Sequence, residues 1–135
     1  MAKSIKLKNN IYWDGSCIKQ QDTGWKTATM NEGFTNNALS TAGDLMYRRI
    51  GSIVYIKGSV KGFPDTTSPC TRLPSGYRPS SRIDFYGSES GNYMAKFAIN
   101  TAGDIWYIGG TRGSVADTQW FNLCTSFVTD QAFPS

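Results

Sequence analysis

Between residues 104 and 120 the chain sets Asp104, Trp106 and Tyr107 ahead of a glycine-containing stretch through Arg112, and then Asp117, Gln119 and Trp120. An aromatic ring offers an apolar face on which the flat side of a sugar can pack. Carboxylate, amide and guanidinium groups fix hydroxyls through directional hydrogen bonds. This mixture makes Asp104, Trp106, Arg112, Asp117 and Trp120 the candidate saccharide-binding residues, in a region of strand ends and loops where recognition concentrates. Competing roles stand beside this one. Trp106 alternates with Ile105 and Tyr107, so core packing competes with ligand contact. Trp120 lies opposite a Phe121, Leu123 and Phe127 face and is either open to ligand or covered by a neighbouring subunit. Arg112 and Asp117 also fit a solvated loop.

A second grouping is Arg78 and Arg82, which flank Pro79-Ser80-Ser81. Guanidinium forks suit phosphate oxygens, and a plain surface role on an edge strand is the alternative. Catalytic chemistry is harder to assemble. The chain has no histidine, which removes Ser-His-Asp and Cys-His arrangements and most zinc and iron sites. Glycoside hydrolysis needs only two carboxylates about 5 to 10 Å apart, but acidic residues are sparse. Glu32 and Glu89 fall in polar, loop-like segments, and Asp14, Asp44 and Asp104 stand beside turn glycines. Surface and turn roles account for all five, so the expectation is a non-catalytic protein. No glycine-rich phosphate cradle is present, and no cofactor or metal is expected. Cys17, Cys70 and Cys124 are odd in number and far apart, which suggests small buried thiols rather than disulfides or a zinc site.

The 135 residues suit one folded domain with a real hydrophobic core. Few charges, many aromatics and abundant Gly, Ser, Thr and Asn suit short strands and tight turns. The net charge of +4 is spread along the chain, with dense groups only at Lys3, Lys6 and Lys8 and at Arg48 and Arg49. It is read as a solvated surface, not as a nucleic-acid footprint. The N-terminus alternates Lys with apolar residues and lacks the continuous apolar run of a signal peptide or membrane span, so membrane insertion is not expected.

Alternation at residues 4–8, a break at Asn9-Asn10, a short run Ile11-Tyr12-Trp13 and an Asp14-Gly15 turn predict a small hairpin-like N-terminal piece over 1–24. Its polar end, Lys19 to Gly24, reads as a link to a main domain over 25–135. The clearest hairpin there joins Leu45–Ile50 to Ile53–Val60 through Gly51-Ser52. In its second arm Val54, Ile56 and Val60 share one face and Tyr55, Lys57 and Lys61 the other. Gly58 interrupts the inner face and marks a bulge or the close approach of another backbone. Pro64 to Pro79 holds four of the five prolines and reads as loop or edge structure. Strands resume at 83–86, 92–100, 105–108 and 120–128. The echo of Thr41-Ala42-Gly43-Asp44 in Thr101-Ala102-Gly103-Asp104 is one turn chemistry used twice. No caps and no 3.6-residue period call for long helices. The expected fold is all-β, an antiparallel sandwich or barrel of the jelly-roll kind.

Three pieces, in order, resemble the tail-fibre and baseplate proteins of bacteriophages that infect Gram-positive bacteria. The first is Ile5-Lys6-Leu7-Lys8-Asn9-Asn10-Ile11-Tyr12-Trp13-Asp14. The second is Trp25-Lys26 followed by Tyr47-Arg48-Arg49-Ile50-Gly51-Ser52-Ile53-Val54-Tyr55-Ile56-Lys57-Gly58. The third is Leu73-Pro74-Ser75-Gly76-Tyr77-Arg78-Pro79 with a later Gly103-Asp104 turn and a last strand opening at Trp120. The resemblance implies a homotrimer of β heads that binds saccharides or polymers on the host surface, carried at the tail tip of a virion beside other baseplate proteins. Many relatives place a long shoulder and neck before the head, whereas residues 1–24 precede Trp25 here, so a shortened or different attachment is expected. The family's binding residues vary among members, and none is carried over by number. A structural baseplate protein that binds only virion partners is the alternative, and a polysaccharide depolymerase a more distant one.

Overall fold

A computed structural model describes the backbone of residues 5–7, 11–13 and 18–19 and, with side chains, residues 20–37, 41–63, 66–112 and 119–134. Strands β1 (Ile5–Leu7), β2 (Ile11–Trp13) and β3 (Ile18–Gln20) form a three-stranded antiparallel sheet of their own, with Ile5 opposite Trp13 and Trp13 opposite Ile18. The Asp14-Gly15 turn and Cys17 lie outside the described residues. The polar link is stitched down rather than loose. Asp22 bridges Ile50, the Thr23 amide donates to the Arg49 carbonyl at 2.9 Å, and the Gly51 amide donates to the Gln21 carbonyl at 2.9 Å.

The remaining strands are β4 (Lys26–Thr27), β5 (Thr35–Asn36), β6 (Met46–Ile50), β7 (Ile53–Lys61), β8 (Thr71–Arg72), β9 (Ile83–Glu89), β10 (Tyr93–Ile99), β11 (Asp104–Gly110) and β12 (Trp120–Val128). They pair in the order β4-β6-β7-β12-β9-β10-β11-β8, with β5 also on β7, in one curled antiparallel sheet that closes into a half-barrel. The architecture is all-β, and no helix occurs among the described residues. Within the proline-rich stretch, the described residues 66–79 contribute only the two-residue edge strand β8, in keeping with the missing amide donors.

The alternation read from the sequence sets the two faces. Val54, Ile56 and Val60 of β7 are buried while Ile53, Tyr55 and Lys57 are exposed, and Phe121, Leu123 and Phe127 of β12 point inward while Cys124, Ser126 and Val128 point out. Gly58 has φ +133°, and a Cβ there would stand 2.1 Å from the Asp44 carbonyl oxygen and 2.5 Å from the Leu45 Cα. The close approach is real. The second segment is the end of the Thr41-Ala42-Gly43-Asp44 turn, where Asp44 bridges Ser59.

The core is an aromatic cluster inside the curl. Phe63, which follows β7, packs on Phe121 at 5.1 Å and on Phe97 at 5.5 Å between ring centroids, and Tyr107 packs on Phe121 at 5.3 Å. Each such ring removed from water contributes about 2 kcal/mol.

Three sequence expectations are corrected by burial. Arg49, expected on a solvated surface, is buried and donates to the carbonyls of Gly51, Gly76, Gln131 and Ala132 at 2.7 to 3.1 Å, with its guanidinium 5.1 Å from the Phe133 ring. Gln131 Oε1 in turn accepts from the Gly76 and Arg78 amides, so the Leu73–Pro79 motif is fastened to the C-terminal segment. Cys70 is buried as expected, and burial pushes its thiol pKa far up, but Cys124 is exposed because it falls on the outward face of β12. Glu89, expected in a surface loop, closes β9 on its inward face and is fully buried.

Candidate functional site

The β10–β11 turn builds the site. Asn100 Oδ1 accepts from the Ala102 and Asp104 amides at 3.0 Å each, and the Gly103 amide donates to the Asn100 carbonyl at 3.0 Å. Gly103 takes φ +88°, and a Cβ there would come within 2.8 Å of the Leu73 carbonyl oxygen, so the turn depends on glycine. Asp104 thereby opens β11 at a fixed height. Arg72, its partner in β8, grips the carboxylate with Nε to Oδ1 at 2.7 Å and Nη2 to Oδ2 at 3.0 Å, while Asn100 Nδ2 donates to Oδ2 at 3.3 Å. The Arg72 guanidinium is the main force holding the Asp104 pKa below the usual carboxylate range, with Asn100 and the charge of Arg78 adding to it against the cost of burial.

Trp106 lies two residues along β11, on the same outer face. Its neighbours Ile105 and Tyr107 fill the core and it does not, which decides the alternation left open in the sequence. The indole is half-buried, and the Arg82 guanidinium sits 5.1 Å from its centroid. Ala98, the cross-strand partner of both Trp106 and Asp84, is fully buried on this outer face without joining the core cluster, so the larger side chains around it cover its methyl. Beside them opens a cleft of about 210 Å³ lined by Thr67, Pro69, Asn100, Asp104 and Trp106. A ring, a carboxylate, a primary amide and a hydroxyl on one concave surface can stack against one face of a sugar and hydrogen-bond its hydroxyls.

Arg112 and Trp120 belong elsewhere. Seven-residue β11 separates Arg112 from Asp104 by roughly 20 Å. Arg112 pairs with buried Glu89, donates to the Ser90 carbonyl and lies 4.3 Å from the Tyr93 ring centroid. Trp120 opens β12 opposite Lys61, half-buried, and its carbonyl accepts from the Ser90 amide at 3.1 Å. Asp117 lies outside the described residues. The structure therefore divides the four described candidates. Asp104 and Trp106 share a cleft, whereas Arg112 and Trp120 flank the β9–β10 turn.

Residues missed by sequence reasoning line the cleft, as Thr67, Pro69 and Asn100 do, or brace its carboxylate, as Arg72 does. Arg72 and Asn100 come from positions 32 and 4 residues away from Asp104. The Asn100 contribution was readable as an Asn four residues before the strand, a turn-forming pattern. The Arg72 contribution depends on β8 pairing with β11, which no local pattern encodes. Arg78 and Arg82 are engaged separately, Arg78 Nε donating to the Leu73 carbonyl at 2.9 Å and Arg82 Nε to Asp84 Oδ1 at 2.9 Å. Among the described residues no cluster of His, Cys, Asp or Glu converges to hold a metal ion, and no helix is long and apolar enough to cross a membrane. Compared with protein-family models and with curated proteins, the chain finds no match.

Proposed function

We propose that this chain is a non-catalytic receptor-binding module that holds a cell-surface saccharide in the Asp104–Trp106 cleft. The observation that carries the reading is the outward-facing Trp106 beside a carboxylate and an amide whose positions are fixed by the turn that presents them. Binding rather than hydrolysis is supported by the state of Asp104. Its pKa is lowered by Arg72, the opposite of what a general acid in glycoside cleavage requires. The sequence resemblance to phage tail-tip proteins supports a place at the tail tip or baseplate of a virion, acting on the surface of a Gram-positive host.

A jelly-roll-like trimer is part of the same reading. It is supported by an apolar patch on the outer face of β7 and β12, where exposed Ile53 and Val128 are direct cross-strand partners and Tyr55 lies two residues away. A neighbouring subunit would remove this patch from water and protect the sheet. The same patch favours a second reading, a structural baseplate part that binds only other virion proteins.

The experiment is a pull-down of labelled protein on Gram-positive cells and isolated wall polysaccharides, with released sugar assayed in parallel and Trp106→Ala alongside. Saturable binding to some strains, lost in the variant and without sugar release, is the expected result. No binding to any strain overturns the adhesin in favour of the structural part, and release of fragments overturns the non-catalytic assignment. Light scattering gives the subunit number, and a monomer at micromolar concentration sinks the trimer.

A further inference from the structure

The outer face of β9 and β10 continues the cleft in an ordered series. Arg82 stacks at 5.1 Å on Trp106 and Lys96 Nζ lies 6.0 Å from the centroid of Tyr86. One carboxylate, Asp84, holds both cations, through Arg82 Nε at 2.9 Å and Lys96 Nζ at 3.5 Å, and its pKa is lowered by them, Arg82 first. The series thus runs ring, cation, carboxylate, cation, ring. Tyr86 is 64 % exposed, among the most open large side chains among the described residues. Trp106 and Asp84 both face Ala98 across the ladders, and Tyr86 is two residues beyond Asp84, opposite Lys96. Two strand spacings and two residues along the strand place the Trp106 and Tyr86 backbones roughly 12 Å apart, more than a single sugar ring covers.

The geometry points to a second subsite at Tyr86, so that the module binds an internal stretch of several sugars laid across β11, β10 and β9 rather than one terminal sugar. This rests on the saccharide reading of the Trp106 cleft. Two rings fit two sugar faces, and the charged groups between them present donors and acceptors to the hydroxyls that link those faces. A protein partner would be better served by a continuous apolar patch, whereas here every ring is separated from the next by a charged group. Asp84 is the positioning residue, because both cations lose their shared anchor without it.

The test uses the intact chain and size-fractionated mild-acid fragments of wall polysaccharide, prepared from a strain the protein binds and graded from single sugars upward. In wild type, affinity is expected to rise with fragment length. Tyr86→Ala should flatten that rise, weakening long fragments about tenfold while leaving single sugars unchanged. Trp106→Ala should weaken fragments of every length. Asp84→Asn should reproduce part of the Tyr86→Ala loss without changing the fold as seen by circular dichroism. If Trp106→Ala abolishes binding but Tyr86→Ala leaves the length dependence intact, the second subsite is wrong and the cleft stands. Absence of binding by wild type to any fragment overturns both. A change of subunit number in Tyr86→Ala overturns the subsite as well, by assigning that face to an interface between copies.

Discussion

Arg72 and Asp104 face each other across the β8–β11 ladder and are joined by two hydrogen bonds, one from Nε to Oδ1 and one from Nη2 to Oδ2. The arginine is largely exposed and the carboxylate mostly covered, so the pair orients Asp104 more than it stabilises the fold. Asp104→Asn keeps the shape of the side chain but weakens the fork. If the cleft binds wall polysaccharide as proposed, affinity is expected to fall about tenfold with a thermal midpoint near that of wild type. A loss of affinity that merely tracks a loss of stability would contradict a recognition role.

Stability is expected to fall in acid, with an identifiable source. Two hydrogen bonds from Arg48, and one from the Gly24 amide, lower the Asp22 pKa from 3.8 to about 2. A folded-state pKa below the unfolded one contributes stability that is complete above about pH 4 and is lost as pH falls toward about 2. Asp84 and Asp104 shift in the same direction. Urea midpoints should therefore decline across that window, and less steeply in Asp22→Asn. An identical slope in the variant would show that the contact to Arg48 does not persist in solution.

Removing Arg49 should unfasten two distant segments at once. Its guanidinium satisfies four carbonyl oxygens, two of them in the C-terminal segment. Arg49→Met fills the space but supplies no donors, and a loss on the order of 3 kcal/mol is expected. Hydrogen exchange should show new opening both at 74–78 and at 129–133. Opening confined to one of them would mean that the two are held independently.

Glu89 and Arg112 form the one ion pair with a fully buried carboxylate among the described residues. Arg112→Ala leaves that carboxylate without its cation and should cost about 3 kcal/mol. Adding Glu89→Gln should return a large part of that loss. A double variant no more stable than Arg112→Ala would indicate that the arginine acts through its packing on Tyr93 rather than through charge.

Gly58→Ala and Gly33→Ala separate two costs of substituting glycine. Both residues have positive φ, but a Cβ at Gly33 meets nothing within 4 Å, whereas at Gly58 it collides with the Asp44 and Leu45 backbone. Gly33→Ala should cost about 1 kcal/mol from the dihedral alone. Gly58→Ala should cost several times more or prevent folding, as measured by denaturant midpoint and expression of soluble protein.

The period of two made the β7 and β12 faces legible, because Val54, Ile56, Phe121 and Leu123 each had one consistent side to bury. Gly58 was legible for a related reason, since a glycine on an inward face leaves a space that something must fill. What escaped were features made by strands far apart in sequence. Arg49 looked like half of a surface pair, and only the return of residues 131 and 132 to its side shows why it is inside. Glu89 sits in a run of small polar residues, Gly87-Ser88-Glu89-Ser90, whose composition suggests a loop, yet β10 and β12 flank it and enclose it. In the cleft, Asp104 and Trp106 were found as a carboxylate and an aromatic ring close together in one stretch, and the fold sets both on the outer face of β11. Arg72 was not found, because its place depends on edge pairing.

Inward Phe85, Phe97, Ile105 and Tyr107 alternate along β9, β10 and β11 with outward Asp84, Tyr86, Lys96 and Trp106. Core packing and the proposed binding surface are thus written on interleaved positions of the same strands. The outer set lies apart from the cluster beneath, so, if the proposed saccharide reading holds, a change of bound polymer has a route that spares folding. On that reading, variants selected for binding a different polymer should carry their substitutions on every second residue of these strands.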